Sequence, residues 1–141
     1  GVTFAQVMQA MMVLTGAGYI ASVQQAEVTN KAKKATDRLN AHLMRKARSS
    51  GDISYLSSPV TGGGVSIGRF SQLFLMATLQ GKKQPAEWAQ IVWQIISAQG
   101  QKFVKEGKTL ETAEENLAEL TAQAQTFAEK QLPILKALQI A

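Results

Sequence analysis

At 141 residues, with no cysteine, one histidine and a formal net charge of +5, the chain is long enough to bury a core in one domain without disulfides. The composition excludes disulfides, thiolate catalysis and cysteine-ligated metal, and the single His42 excludes zinc or iron sites that need two or more histidines. A cysteine-free chain fits a cytoplasmic protein, and one that opens at Gly1 instead of methionine reads as a piece of a longer protein.

Thr3 and Gln6 form a capping box for a first helix, whose Phe4, Val7, Met8, Met11 and Leu14 share a face up to Gly16 or Gly18. The run Tyr19 to Val23 (YIASV) reads as a short strand. Residues 4 to 23 carry no charged side chain, the composition of a membrane span. Gln6, Gln9, Thr15, Ser22, the glycine pair and the amphipathic first half argue instead for a buried helix followed by a strand, neither a membrane span nor a signal peptide.

A second helix is expected over residues 28 to 48, with Val28, Ala32, Ala35, Leu39, Leu43 and Ala47 as its buried stripe. Lys31, Lys34, Arg38, Arg45 and Arg48 project nearly opposite that stripe and form a basic outer face. A helix lying in a nucleic-acid groove has this pattern, but so does a solvated lysine-rich helix. No aromatic residue interleaves the basic ones, which argues against a stacking platform for single strands. His42, on the border of the apolar face, reads as a packing or hydrogen-bonding residue.

Ser49, Ser50 and Gly51 break this helix. Tyr55, Leu56 and Val60 then make a strand-like run, Gly62, Gly63 and Gly64 permit a tight reversal with positive φ, and Ser66 is placed to cap a third helix over residues 67 to 79. Phe70, Leu73, Phe74 and Ala77 supply its apolar face. Pro85 opens a fourth helix with Trp88, Ile91, Val92, Ile95 and Ile96 buried, Gly100 ends it, and residues 101 to 108 form a basic connection.

Thr109, or Thr112 with Glu115 as a capping box, starts the last helix. Glu111, Glu114 and Glu115 sit where the helix dipole favours carboxylates, which accounts for the acidic cluster without catalysis. Leu110, Ala113, Leu117, Leu120, Ala124 and Phe127 follow a heptad spacing over only about two and a half heptads. That seam serves either packing within the domain or a homodimer, with Leu117 and Leu120 as its centre. Pro133 kinks or ends the helix, and Ile134, Leu135, Leu138 and Ile140 dock an apolar tail.

No catalytic constellation emerges. The triple glycine lacks the spacing of a phosphate-binding loop, Gly16-Ala17-Gly18 follows a helix where a dinucleotide site needs a strand, and no Gly-x-Ser-x-Gly elbow exists.

Several strings nevertheless carry a resemblance: Tyr55-Leu56-Ser57-Ser58-Pro59-Val60-Thr61-Gly62, Arg69-Phe70-Ser71-Gln72-Leu73-Phe74-Leu75, Gly100-Gln101 with Lys105-Glu106-Gly107-Lys108, Glu114-Glu115-Asn116-Leu117-Ala118-Glu119-Leu120 and Leu132-Pro133-Ile134-Leu135. Together they span residues 54 to 141. They resemble the C-terminal accessory region of bacterial S-adenosylmethionine-dependent methyltransferases that carry a methyltransferase regulatory domain, and are similar to the rickettsial protein lysine methyltransferases. The resemblance implies a winged-helix-like domain with S-adenosylmethionine bound upstream, no cofactor in this chain and no catalytic residue to carry over.

The expected fold is therefore mainly α with a small β-hairpin (α+β): a single domain over 1–141, with a wing-like part over 1–81 and C-terminal helices over 82–141. The expected function is a non-catalytic regulatory or substrate-positioning domain. Its partners would be its own catalytic domain in cis, a protein substrate or a second copy. A nucleic-acid-binding winged-helix module and a helical dimerisation domain are the alternatives.

Overall fold

Two alternating patterns decide the architecture: helical apolar spacing over most of the chain, and two short polar hairpins rich in glycine. The computed structural model describes residues 1–105 and 107–141. Glu106, part of the expected basic connection and of one resemblance string, lies outside them. Among the described residues, helix takes 59% and strand two small antiparallel pairs, so the fold is mainly α with a small β component.

The helices are α1 (Phe4–Gly16), α2 (Ala26–Lys46), α3 (Arg69–Leu79), α4 (Pro85–Ser97), α5 (Ala113–Thr126) and α6 (Leu132–Ala137). Strands β1 (Tyr55–Ser58) and β2 (Gly63–Ser66) form the first hairpin, β3 (Val104–Lys105) and β4 (Lys108–Thr109) the second. In the first, Tyr55 pairs with Ser66 and Ser58 with Gly63. Only Gly62 of the three consecutive glycines has a positive φ, +71°; Gly63 and Gly64 are strand residues of β2. Ser66 is likewise in β2 and does not cap α3, whose N-cap is Gly68. The tight reversal needs one left-handed residue, and extending β2 through Ser66 consumes the position expected to cap.

Helix α3 is the hub. Gln72, Leu73, Phe74, Leu75 and Ala77 are all buried, so this helix is covered on several sides. It packs on α4 and α2, while α4 also packs on α5. Trp88, Ala89, Val92 and Ile96 of α4, with Leu120 and Ala124 of α5, complete the centre. Phe127 touches both flanking aromatics, with ring centroids 5.7 Å from Phe74 and 6.0 Å from Trp88 in an edge-on arrangement. Such pairs add about 0.5–1.5 kcal/mol each beyond area burial. The Trp88 indole N–H donates to the Lys82 carbonyl at 2.9 Å, which satisfies its polar end inside the core, and Trp93 is half-buried.

Pro133 does not stop the final helix. Residues Phe127–Gln131 form a π-helical turn between α5 and α6, in which the Leu132 N–H bonds the carbonyl of Phe127. Pro133 lacks an N–H, and the widened turn places it at the start of α6, where none is needed. Of the expected apolar tail, Leu135 and Ile140 are buried and Leu138 is half-buried, but Ile134 is exposed.

The largest departures lie at the N-terminal end. Helix α1 forms with the expected capping box, Thr3 and Gln6 bonding reciprocally. It contributes no buried residue, and residues 19 to 23 form no strand. A short strand needs a partner edge, and the ladder of β1 is already occupied by β2. The second hairpin lies in the stretch expected as a basic connection, and Thr109, its last residue, leaves Thr112 as the N-cap of α5.

Candidate functional site

Helix α2 carries the sequence-derived candidates, and its true buried face differs from the expected stripe. Thr29, Thr36, Asn40, Met44 and Ala47 face the body, whereas Val28, Ala35 and Leu39 are exposed. The helix is turned by about 90° at 100° per residue from the apolar-stripe expectation. Polar contacts cause the rotation. The Asn40 side chain donates to the Ser57 carbonyl at 2.8 Å and accepts from the Ser57 N–H at 2.7 Å, pairing with strand β1 as a neighbouring backbone would. A buried asparagine satisfied on both atoms outweighs the burial of one or two aliphatic side chains, because leaving Ser57 unpaired would cost about 1–3 kcal/mol per group. His42 is exposed, outside any packed face.

The rotation leaves the basic residues fully outward. Lys31, Lys34, Arg38, Arg45 and Arg48 are all exposed, the first four on the side away from the buried face and Arg48 just beyond the end of α2. Lys31 pairs with Glu27 at 2.7 Å, one turn away, and Lys33 with Asp37 at 2.5 Å. Exposed pairs of this kind contribute little to stability. Among the described residues, no salt bridge engages Lys34, Arg38, Arg45 or Arg48. Arg48 also stands at the mouth of an open groove of about 450 Å³, lined by Met76, Ile91, Gln94, Ile95 and Gln99 from α3, α4 and the α4 exit.

Leu117 and Leu120, expected as the centre of a dimer seam, are brought to a different place. Leu120 is 0% exposed within the core, and Leu117 is half-buried against it. The heptad-like spacing is spent chiefly on α4 of the same chain, so a second copy has no access to Leu120.

Four polar side chains that composition does not single out hold the elements together. Arg69 donates to the carbonyls of Ala47 at 2.8 Å and Arg48 at 3.1 Å, and to the side chains of Gln101 at 2.8 Å and Gln99 at 3.0 Å. It thereby clamps the end of α2 to the end of α4. Ser58 donates to the Leu138 carbonyl at 2.8 Å and joins the first hairpin to the C-terminal tail. Asn116 accepts from the Phe103 N–H at 2.8 Å and donates to Leu110 and Thr112 carbonyls at 2.7 Å, fixing the second hairpin on α5. Gln72 donates to the carbonyls of Ile53 at 2.7 Å and Ile67 at 2.8 Å, while its own Oε1 is buried without a partner among the described residues. Ser58, Arg69, Gln72 and Asn116 all fall inside the strings that carry the resemblance. Sequence spacing could not reveal these roles, since each side chain makes at least one bond to a group 13 or more residues away.

The perturbed carboxylates are structural as well. Backbone N–H groups of Gln84 and then Lys83 hold Glu87 below the ordinary value of about 4.5, and the Thr112 N–H does the same for Glu115. Glu119 is lowered chiefly by the Lys105 ammonium at 2.7 Å. Among the described residues, no group of three or more metal-ligating side chains converges, and no helix is long and apolar enough to cross a membrane.

Neither a protein family nor a solved structure matches the chain. The uncharacterized protein sll1526 of Synechocystis sp. is 38% identical to it over 140 residues, which is 99% of this chain and 27% of that protein. The chain thus spans about a quarter of the length of the relative it matches.

Proposed function

We propose that this chain is a non-catalytic accessory domain of a cytoplasmic S-adenosylmethionine-dependent methyltransferase, one that positions a protein substrate or packs against the catalytic core. One observation carries the reading: the strings that resemble the methyltransferase accessory region hold the residues that tie one element to another, namely Ser58, Arg69, Gln72 and Asn116. A segment whose distinctive residues serve architecture is a scaffold that presents surfaces. The Synechocystis relative supports a multi-domain setting, since the match fills 27% of it. The cofactor belongs to the remainder of such a protein, and the exposed basic face of α2 and the groove beside Arg48 are the surfaces offered to substrate or core.

Isothermal titration of S-adenosylmethionine into the 141-residue chain and into the longer protein tests the reading. Heat with the longer protein alone is expected. Absence of heat from both rejects the methyltransferase assignment, and heat from the 141-residue chain rejects the accessory role.

A further inference from the structure

Helix α1 is made for burial and is buried against nothing. Phe4 is 80% exposed, Met12 65% and Val13 63%, and Val7, Met8, Met11 and Leu14 are exposed with them. Residues 4 to 23 carry no charge that would solvate the helix. A helix apolar around most of its circumference is normally enclosed by protein or lipid.

From this we infer that α1 is a docking helix that inserts into an apolar groove in the rest of the longer protein. The inference rests on the accessory-domain reading, to which it adds the surface of attachment.

The shape of the apolar surface selects the occupant. Phe4, Val7, Met11 and Leu14 form a seam with steps of three, four and three residues. Two heptads fall short of a stable coiled coil with a second copy, which needs about three or four. Met12 and Val13 lie about 120° and 140° from the centre of that seam at 100° per residue. A single partner helix, or the plane of a lipid surface, would therefore leave them in water. A groove with walls on several sides covers all of them, and the unbranched Met8, Met11 and Met12 adapt well to an irregular wall. Such walls would come from the part of the longer protein outside this chain. The match includes 99% of this chain, while 73% of that protein's length lies outside the matched region.

Hydrogen exchange of residues 4 to 16 in the 141-residue chain and in the longer protein tests the docking. In the short chain these amides should exchange fast, since an unsupported helix of 13 residues is marginal. In the longer protein they should slow by at least ~10-fold, the change that 1.4 kcal/mol of local stability produces. The double substitution Val7→Glu and Met11→Glu should abolish that protection. It should leave the remaining helices folded, because α1 contributes nothing to the core. Fast exchange in the longer protein overturns the inference. So does protection that appears in the short chain as its concentration rises, which identifies a second copy. Protection of the short chain only on vesicles of anionic phospholipid overturns it as well. The two readings fail separately: a longer protein that binds S-adenosylmethionine with α1 unprotected rejects only the docking. One that protects α1 without binding the cofactor rejects only the methyltransferase reading.

Discussion

Gly62 shows how one residue sets the turn of the first hairpin. Its φ of +71° is a conformation that side chains resist, and a Cβ there would fall 2.7 Å from the Gln24 side-chain nitrogen. Because Gln24 can swing aside, backbone strain is the larger penalty, and Gly62→Ala should cost about 1–2 kcal/mol. Gly63 has open space at its Cβ position and no positive φ. Gly63→Ala should be neutral or stabilise by up to about 1 kcal/mol, through the unfolded chain. Chemical denaturation of the two variants compares them directly, and equal losses would contradict the assigned turn. Three identical letters in sequence thus hide one constrained position and two ordinary strand residues. The same limit applied to Asn40, Arg69 and Asn116, whose partners are main-chain or amide groups that no periodicity announces.

At the level of elements, the apolar spacing of α5 was legible but its partner was not. Since Leu120 is 0% exposed in the core, Leu120→Ala should cost about 2–5 kcal/mol and Leu120→Asp should prevent folding. A dimer seam would instead give a folded monomer with Leu120→Asp, so circular dichroism and mass in solution discriminate the two. The helix starts carry the pH dependence. Glu87 and Glu115 are held below about 4.5 by backbone N–H groups at the starts of α4 and α5. A carboxylate that binds its proton more weakly folded than unfolded contributes fully above its unfolded pKa. That contribution is lost as pH falls through the folded value. Stability should therefore decline on acidification below about pH 4.5, and the Glu87→Gln, Glu115→Gln variant should show a shallower decline. An unchanged slope in the variant would assign the acid sensitivity elsewhere. For α2, sequence located the helix and its basic side, yet misjudged the buried face because Asn40 looks like a surface residue until its pairing with Ser57 is seen.

On the scale of the whole molecule, α3 gathers α2 and α4, α2 carries the first hairpin through β1, and α5 with its π-turn continuation closes the core over α4. Helix α1 stands outside that core, which is why an uncharged, apolar N-terminal stretch could be read as buried and still emerge exposed. The sequence by itself determined the five principal helical segments, the glycine turn, the capping box at Thr3 and the outward basic face of α2. All of these follow from local rules of periodicity, capping and backbone freedom that act within a few residues. Only the tertiary structure decided which face of α2 turns inward, that Leu120 belongs to the core, that Pro133 is absorbed in a widened turn and that α1 has no cover within this chain. Those outcomes depend on which distant groups satisfy one another once buried, and the cost of an unpaired polar group in the interior rivals the gain from burying an aliphatic side chain.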